Sequence, residues 1–408
     1  MSEVLFLAHR VPFPPDRGDK IRSSHLLRRI AEFAPVHVGA LADDVADLGH
    51  EGAVAALAQS HCIVRRSASL PLAALAALGQ GLPVSLAAFA SARLQHWVHQ
   101  VLSARPISAI FVFSVQMAQY VPSEFRGRVV MDFVDVDSAK YEAYARSGTL
   151  PRRLLYAREA RLLRRFEEMV ARRSTTSLLI SREERALFES RLSGTALPDV
   201  RALGNGIDTE LFDPAVVDPA PELVGEGPFI VFTGQMDYPP NVTAVELFAH
   251  EVMPHIRTAH PDARFAVVGR APTAAVRALE GINGTIVTGA VPDVRPWLAG
   301  ADLVTAPLLI ARGVQNKVLE AMAMARPVLL TPVAATGIGG ADGEHFAMAE
   351  APLALAERAL ALLADRNAAS AMGAAARRLV VDECGWDQVL APLRALLGCT
   401  HEAVADAA

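Results

Sequence analysis

Cysteine is sparse: Cys62, Cys384 and Cys399 lie far apart and form no C-x-x-C pair. That excludes a disulfide scaffold and a zinc knuckle and fits a reducing, cytoplasmic setting. Lysine is equally scarce. Lys20, Lys140 and Lys317 are the whole complement, so 36 of the 39 basic residues are arginine, the mark of a GC-rich genome, and a single arginine is weak evidence of function. A membrane-spanning helix needs about 20 continuous apolar residues, and no such run exists. The one long uncharged stretch, 67–92, is broken by Pro71, Gly79, Gln80, Gly81 and Pro83 and reads as a pair of short surface helices. Met1-Ser2-Glu3 runs directly into the apolar Val4 to Ala8 without the basic region of a secretory leader. No G-x-S-x-G elbow is present to support a serine hydrolase.

What the chain does have is apolar mass. Of its 408 residues 52% are hydrophobic and 20% charged, a balance that builds large cores and excludes intrinsic disorder. At roughly 150 residues per domain the length favours two or three domains. The net charge of −5 hides an asymmetry: residues 1–205 carry 26 Arg or Lys against 20 Asp or Glu, and the remainder 13 against 24. Nine arginines lie between Arg146 and Arg173, facing only Glu159, Glu167 and Glu168. Leucines and aromatics at helical spacing separate them, which suits either a helix lying on anionic lipid headgroups or one packed on a sheet with a solvated basic face. One isolated basic helix without a stacking platform argues against nucleic acid.

Short apolar runs at 4–8, 36–42, 109–113, 129–133 and 177–181 alternate with helical patterns. Such alternation implies a parallel sheet covered on both faces. After Gly204-Asn205-Gly206 and a proline-rich stretch to Pro228 the rhythm restarts, with runs at 229–232, 265–269, 285–289, 302–307 and 327–332. A second α/β domain follows, with the stretch 205–228 as a hinge. Ligands of open α/β sheets bind outside the carboxyl ends of the strands, so the loops after these runs are where chemistry is expected, and two sheets facing each other would enclose a cleft.

Three such loops stand out. His9 ends the first strand, and the loop that follows runs to Gly18-Asp19-Lys20 and a helix from about Ile21 to Phe33. Gly18 permits a tight turn, the helix start offers free N–H groups to an anion, and Lys20 and Arg22 add charge; an ordinary capped helix reads equally well. Asp132, Asp135 and Asp137 follow another first-domain strand. One of them would orient an attacking hydroxyl or take its proton. Asp135-Val136-Asp137 also matches the D-x-D pattern of a divalent-metal site, and Asp137 and Ser138 suit a helix cap. In the second domain Arg312-Gly313 opens onto a helix from Val314 to Ala325, where Lys317 and Glu320 share a face. A diphosphate at the helix start would meet N–H groups and Lys317, and a ribose diol would hydrogen-bond to Glu320. The bland reading is a surface ion pair. The remaining histidines, among them His96, His99, His250, His255 and His260, lack the company of a metal site.

Asn205-Gly206-Ile207-Asp208, Thr233-Gly234, Val267-Val268-Gly269, Thr288-Gly289 and the Lys317 to Ala323 helix, in this order, resemble the retaining glycosyltransferases of family four, which have the GT-B fold. PFPPDRGDKIRSSHLL at 12–27, MDFVDVDSAKY at 131–141, TGQMDYPPN at 233–241 and QNKVLEAMAM at 315–324 resemble, more narrowly, the sugar transferases of bacterial exosortase/PEP-CTERM exopolysaccharide clusters. The resemblance implies a nucleotide-sugar donor on the C-terminal domain and an acceptor on the N-terminal one, with no bound metal. Glu320 would correspond to the second glutamate of the family's E-x7-E motif, on the ribose. The first falls at Arg312, and Gly234-Gln235 replaces the usual Gly-Arg pair, so Arg312, Lys317 and Arg270 become the candidates for the phosphates.

The expected architecture is thus α/β, two facing Rossmann-like doubly wound parallel-sheet domains of GT-B type. Residues 1–204 form the acceptor domain, 205–385 the donor domain, and 386–408 a helix returning to the first domain with a tail. The expected donor site is Gly234, Gln235, Arg270, Arg312, Gly313, Asn316, Lys317 and Glu320. The acceptor side is His9, Gly18, Asp19, Lys20 and Arg22 with the three aspartates. The activity implied is metal-independent hexosyl transfer, with retention, from a nucleotide diphosphate sugar to a saccharide, lipid-linked, in exopolysaccharide synthesis, by a cytoplasmic protein peripheral to an anionic membrane face. No cofactor is called for. A nucleotide-sugar epimerase on the same fold, or a weakened nucleotide-sugar-binding subunit, are the alternatives.

Overall fold

A computed structural model describes residues 2–66, 77, 79, 81–146, 150–223, 225, 227–311 and 314–399. Residues 67–76, 78 and 80 of the expected helix pair at 67–92, together with Arg312 and Gly313, lie outside the described residues, and within the rest Val84–Ala88 is helical. The chain divides into two compact units, one of residues 1–204 with 390–408, the other of residues 205–389.

The first unit holds a seven-stranded parallel sheet. Its strands are β1 (Glu3–Ala8), β2 (Val36–Ala42), β3 (Ser60–Arg65), β4 (Ile107–Phe113), β5 (Arg128–Val134), β6 (Thr176–Leu179) and β7 (Val200–Ala202). The order across the sheet is β3-β2-β1-β4-β5-β6-β7. Every residue of β1 and β2 is buried, as the apolar runs require for strands covered on both faces. The register sets Val4 beside Val36 and Leu7 beside Val112. The reversal of direction falls between β1 and β4, where ligands of doubly wound sheets bind.

The second unit repeats the plan. Its strands are β8 (Phe229–Thr233), β9 (Arg264–Val268), β10 (Thr285–Gly289), β11 (Leu303–Ala306), β12 (Val328–Leu330) and β13 (Ala347–Met348). They are ordered β10-β9-β8-β11-β12-β13, with every pair parallel. Its reversal lies between β8 and β11. The expected fold class of two parallel-sheet α/β domains is what the structure has. The end of the chain makes two short helices, Trp386–Leu390 and Leu393–Leu396, in place of the single one expected. No described helix is long and apolar enough to cross a membrane.

Two buried polar clusters tie the first unit together. Arg22, in the helix Gly18–Ala31, is 1% exposed and donates from Nε to Asp132 of β5 at 2.9 Å, and from its Nη atoms to the Gly204 and Leu203 carbonyls at 2.6 and 2.8 Å. The second Asp132 oxygen accepts the Val134 N–H at 3.1 Å. A charge pair this enclosed holds because its bonding capacity is filled on both sides. The second cluster joins two helices. Glu167, buried on the helix Leu150–Arg173, accepts the Ser138 N–H at 2.9 Å and the Ser138 hydroxyl at 2.5 Å, at the start of the helix Asp137–Ala145.

Burial pushes the Glu167 carboxyl up to about 7, against the lowering effect of its bonds to Ser138. The folded protein therefore holds this proton more tightly than the unfolded chain does. Stability is favoured below the unfolded value near 4.5 and lost as pH rises through about 7. Denaturant unfolding of the wild type is expected to fall by on the order of 3 kcal/mol from this group between pH 4.5 and 8. In Glu167→Gln that share of the slope disappears, and a pH profile unchanged by the substitution would refute the assignment.

Candidate functional site

In the second unit three strands beside one another, β8, β9 and β10, end on glycine: Gly234 and Gly269 just past the first two and Gly289 closing the third. A Cβ on Gly269 would lie 1.6 Å from the Gly234 carbonyl oxygen, so only glycine lets the two turns meet. A Cβ on Gly234 would lie 2.8 Å from Asn241 Nδ2 and 3.0 Å from Lys317 Nζ. Bare backbone at 234 is what admits the ammonium.

Lys317 reaches that point from the helix Asn316–Ala323, which follows β11 on the other side of the reversal point. Val318, Leu319, Ala321, Met322 and Ala323 are buried, leaving Lys317 and Glu320 half-buried on the remaining face. The start of this helix carries no side-chain cap. Lys317 Nζ donates to Asn241 Oδ1 at 2.6 Å and sits 4.0 Å from the centre of the Phe232 ring of β8, a favourable place for a desolvated cation. Asn241, in the helix Pro239–Leu247, fixes the turn in return by donating Nδ2 to the Gln235 carbonyl at 2.9 Å. Arg270 Nη2 donates to Gln235 Oε1 at 3.2 Å, and the Met236 N–H donates to the Arg270 carbonyl at 2.8 Å.

Burial pulls the Lys317 ammonium below the usual lysine range and raises the Glu320 carboxyl, and the charge of each only partly restores the other. The Glu320 carboxylate makes no hydrogen bond among the described residues. The result is a cation and an acceptor held in order at the carboxyl edge of a parallel sheet, beside free helix N–H groups. This is a place suited to an anion with a hydroxyl-bearing group attached.

Of the expected donor residues, Gly234, Gln235, Lys317 and Arg270 come together around the β8 turn, with Glu320 one helical turn beyond Lys317 and Asn316 exposed at the helix start. Arg312 and Gly313 lie outside the described residues. Asn241 and Phe232 were missed as site residues. Asn241 stands in the run TGQMDYPPN, but that its amide bridges back to Lys317 depends on a contact 76 residues away in sequence.

The first unit departs from expectation at the loop after β1. Gly18 adopts an ordinary helical conformation with nothing within 4 Å of where a Cβ would stand, so no tight turn or close approach requires it. Lys20 is buried and donates to Asp47 at 2.7 Å, and Arg22 is spent on Asp132. Neither is available to an anion, and Asp19 places a carboxylate in the first turn of the helix. Asp19 receives Arg10 at 2.7 Å and Arg17 at 2.7 Å. Despite its burial, the His9 ring and Arg10 hold its carboxyl far below the ordinary range.

His9 is 8% exposed and packs against the Phe113 ring, with centroids 5.6 Å apart. Its Nε2 is 2.8 Å from Arg10 Nη1 and 3.4 Å from Asp19, whereas Nδ1 is enclosed and unbonded among the described residues. Burial lowers its pKa against the raising effect of Asp19. Beside it at the β4 end, Ser114 adopts φ 77° and contacts Gln116, whose Nε2 donates to Asp137 at 3.1 Å. Asp132 is wholly enclosed, so its expected role at a substrate hydroxyl does not fit its position. Asp135 is exposed at the β5 end, where surrounding protein and the charges of Glu184 and Asp137 raise its pKa. Among the described residues no three His, Cys, Asp or Glu side chains converge as a metal site.

Residues 227–365 match the family model described as glycosyl transferases group 1, and the second unit is accordingly a group 1 glycosyltransferase domain. No curated protein matches the chain. Among solved structures, Anabaena Alr3699/HepE in complex with UDP and glucose superposes with a TM-score of 0.64 at 14% identity, over 98% of this chain and 100% of that one. Sucrose-phosphate synthase (tll1590) from Thermosynechococcus elongatus gives 0.64 at 14%, over 98% and 100%. WaaG, a glycosyltransferase involved in lipopolysaccharide biosynthesis, gives 0.60 at 17%, over 97% and 99%. These likenesses establish the GT-B fold.

The two glycines make a contrasting test. Gly269→Ala must displace the Gly234 turn and is expected to cost about 2 kcal/mol or more in urea unfolding. Gly18→Ala is expected to change stability by less than about 1 kcal/mol, in the stabilising direction if at all. Equal effects would contradict the packing described.

Proposed function

We propose that the protein transfers a hexosyl group from a nucleotide diphosphate sugar to a hydroxyl of a saccharide acceptor, with the donor on the second unit and the acceptor on the first. The observation that carries this reading is Lys317, its ammonium drawn against glycine backbone at the carboxyl end of β8 by Asn241. The group 1 match over 227–365 and the UDP complex of the fold relative support it.

In the reaction the bond from the anomeric carbon to the diphosphate oxygen breaks, a new one forms to the acceptor oxygen, and the acceptor hydroxyl gives up its proton. The departing diphosphate gathers charge. Lys317 and the uncapped N–H groups at the start of the 316–323 helix supply positive potential already in place, which is worth most where water is excluded. A phosphate beside Lys317 favours its protonated form and offsets the desolvation that lowers its pKa. Glu320 accepts from the ribose hydroxyls. Of the three aspartates we assign the acceptor proton to Asp135, because it is exposed and its raised pKa makes it a better base than an ordinary carboxylate. The family resemblance adds retention of configuration, no resident metal and a role in exopolysaccharide synthesis.

A lipid-linked acceptor at an anionic membrane face fits a further observation. Tyr144, Leu150 and Leu154 are 45%, 71% and 68% exposed, and Arg146, Arg152, Arg153, Arg161 and Arg165 are exposed along the same segment. Exposed leucines among arginines suit an acidic headgroup layer, at about 1 kcal/mol per basic residue.

Calorimetric titration with UDP and GDP tests the donor site. One of them is expected to bind, with Lys317→Gln and Glu320→Gln each weakening it about tenfold to a hundredfold, as for hydrogen bonds to charged groups. No nucleotide binding, or binding indifferent to both substitutions, would overturn the reading. For the membrane face, flotation with phosphatidylglycerol vesicles is expected to carry the protein at low salt, and Leu150→Ser/Leu154→Ser to release it. Equal flotation with phosphatidylcholine vesicles would refute the electrostatic part.

A further inference from the structure

At the opposite edge of the second sheet, where β8, β11 and β12 begin, lies a cavity of about 310 Å³. It is walled by the residues preceding those strands, among them Asp302 and Arg326, and by Leu362, Leu363, Arg366 and Ser370. Small-molecule sites start at about this volume. Because the strands are parallel, it is separated by the length of the sheet from Gly234 and Lys317, and the donor reading does not use it.

Arg326 is the anomaly here. Its Nη1 donates to the Ala301 carbonyl at 3.2 Å, while Nε is enclosed and bonded to nothing among the described residues. A buried guanidinium N–H without an acceptor costs about 1–3 kcal/mol and calls for an explanation. Nη2 has no partner among the described residues and is the guanidinium group left for an oxyanion at this wall. The residue is fixed there by its neighbour, since Ala325 turns the chain at φ 52° directly after the 316–323 helix.

The other polar groups of the cavity fit the same ligand. Arg366 is 80% exposed at the mouth, and His260 and Ser370 add donors. The one acid, Asp302, already accepts the Phe229 N–H at 2.9 Å and has Arg366 at 3.8 Å. Leu362 and Leu363 give an apolar wall beside these donors. We propose that this cavity binds a small phosphorylated molecule, its phosphoryl group held by Arg326 and Arg366 and its carbon skeleton against Leu362 and Leu363.

Titration calorimetry of the full chain with inorganic phosphate and with glycerol 3-phosphate, against chloride at matched ionic strength, tests it. The Lys317→Gln protein serves as the background, so that binding at the donor edge does not contribute. Saturable binding is expected there, with glycerol 3-phosphate at least as tight as inorganic phosphate. Adding Arg326→Gln is expected to weaken both at least tenfold, and Arg366→Gln severalfold. Absence of saturable binding in the Lys317→Gln protein, or affinities unmoved by the arginine substitutions, would overturn the proposal. Arg366→Gln lies on the surface and decides the matter even if Arg326→Gln fails to fold. Failure here leaves the donor site standing, since that site is read through Lys317 and Glu320 with nucleotides.

Discussion

One positive charge pressed against a peptide backbone sets the terms for the second unit. For the Lys317 ammonium to lie over the Phe232 ring and beside residue 234, that residue must have no side chain, and for residue 234 to sit where it does, Gly269 must have none either. Asn241 closes the arrangement by bonding Lys317 with its carbonyl and the 235 backbone with its amide. Each part is ordinary alone. Together they hold a desolvated cation at the reversal point of a parallel sheet, where the fold leaves room for a ligand.

The first unit spends its charges differently. Arg22, Lys20 and Arg10 have carboxylate partners, so what looks in sequence like a basic loop is an internal network with little left over. Among the described residues at its carboxyl edge, the enclosed His9 Nδ1, Asp43 Oδ1 and Arg66 Nε lack a hydrogen bond, and the Asp135 carboxyl is exposed. This suits a neutral, hydroxyl-rich partner better than an anion, a contrast with the second unit in keeping with the proposed division between acceptor and donor.

Much of the fold was legible in the sequence because its central strands are continuous apolar runs, and such runs have one good solution in a chain that alternates them with helices. The strands that escaped notice are those without that signature. β3 carries Ser60, His61 and Cys62 and sits at a sheet edge, and β7 and β13 are three and two residues long. In the site, Lys317 and Glu320 were readable because a helix brings residues three apart to one face, which is local information. The misreadings share a cause. Arg22 finds Asp132 across 110 positions and Lys20 finds Asp47 across 27, and no spacing rule reports which charges are already taken.

The depressed basicity of Lys317 reaches beyond ligand binding. An amine that gives up its proton readily is a nucleophile, and the chain has only two other lysines: Lys20, buried on Asp47, and Lys140, exposed in water near Asp137. Of the three lysines, an electrophile that acylates or carbamoylates side-chain amines therefore finds one whose proton burial has loosened. The same desolvation that suits this side chain to the proposed phosphate sets it apart chemically from the other two.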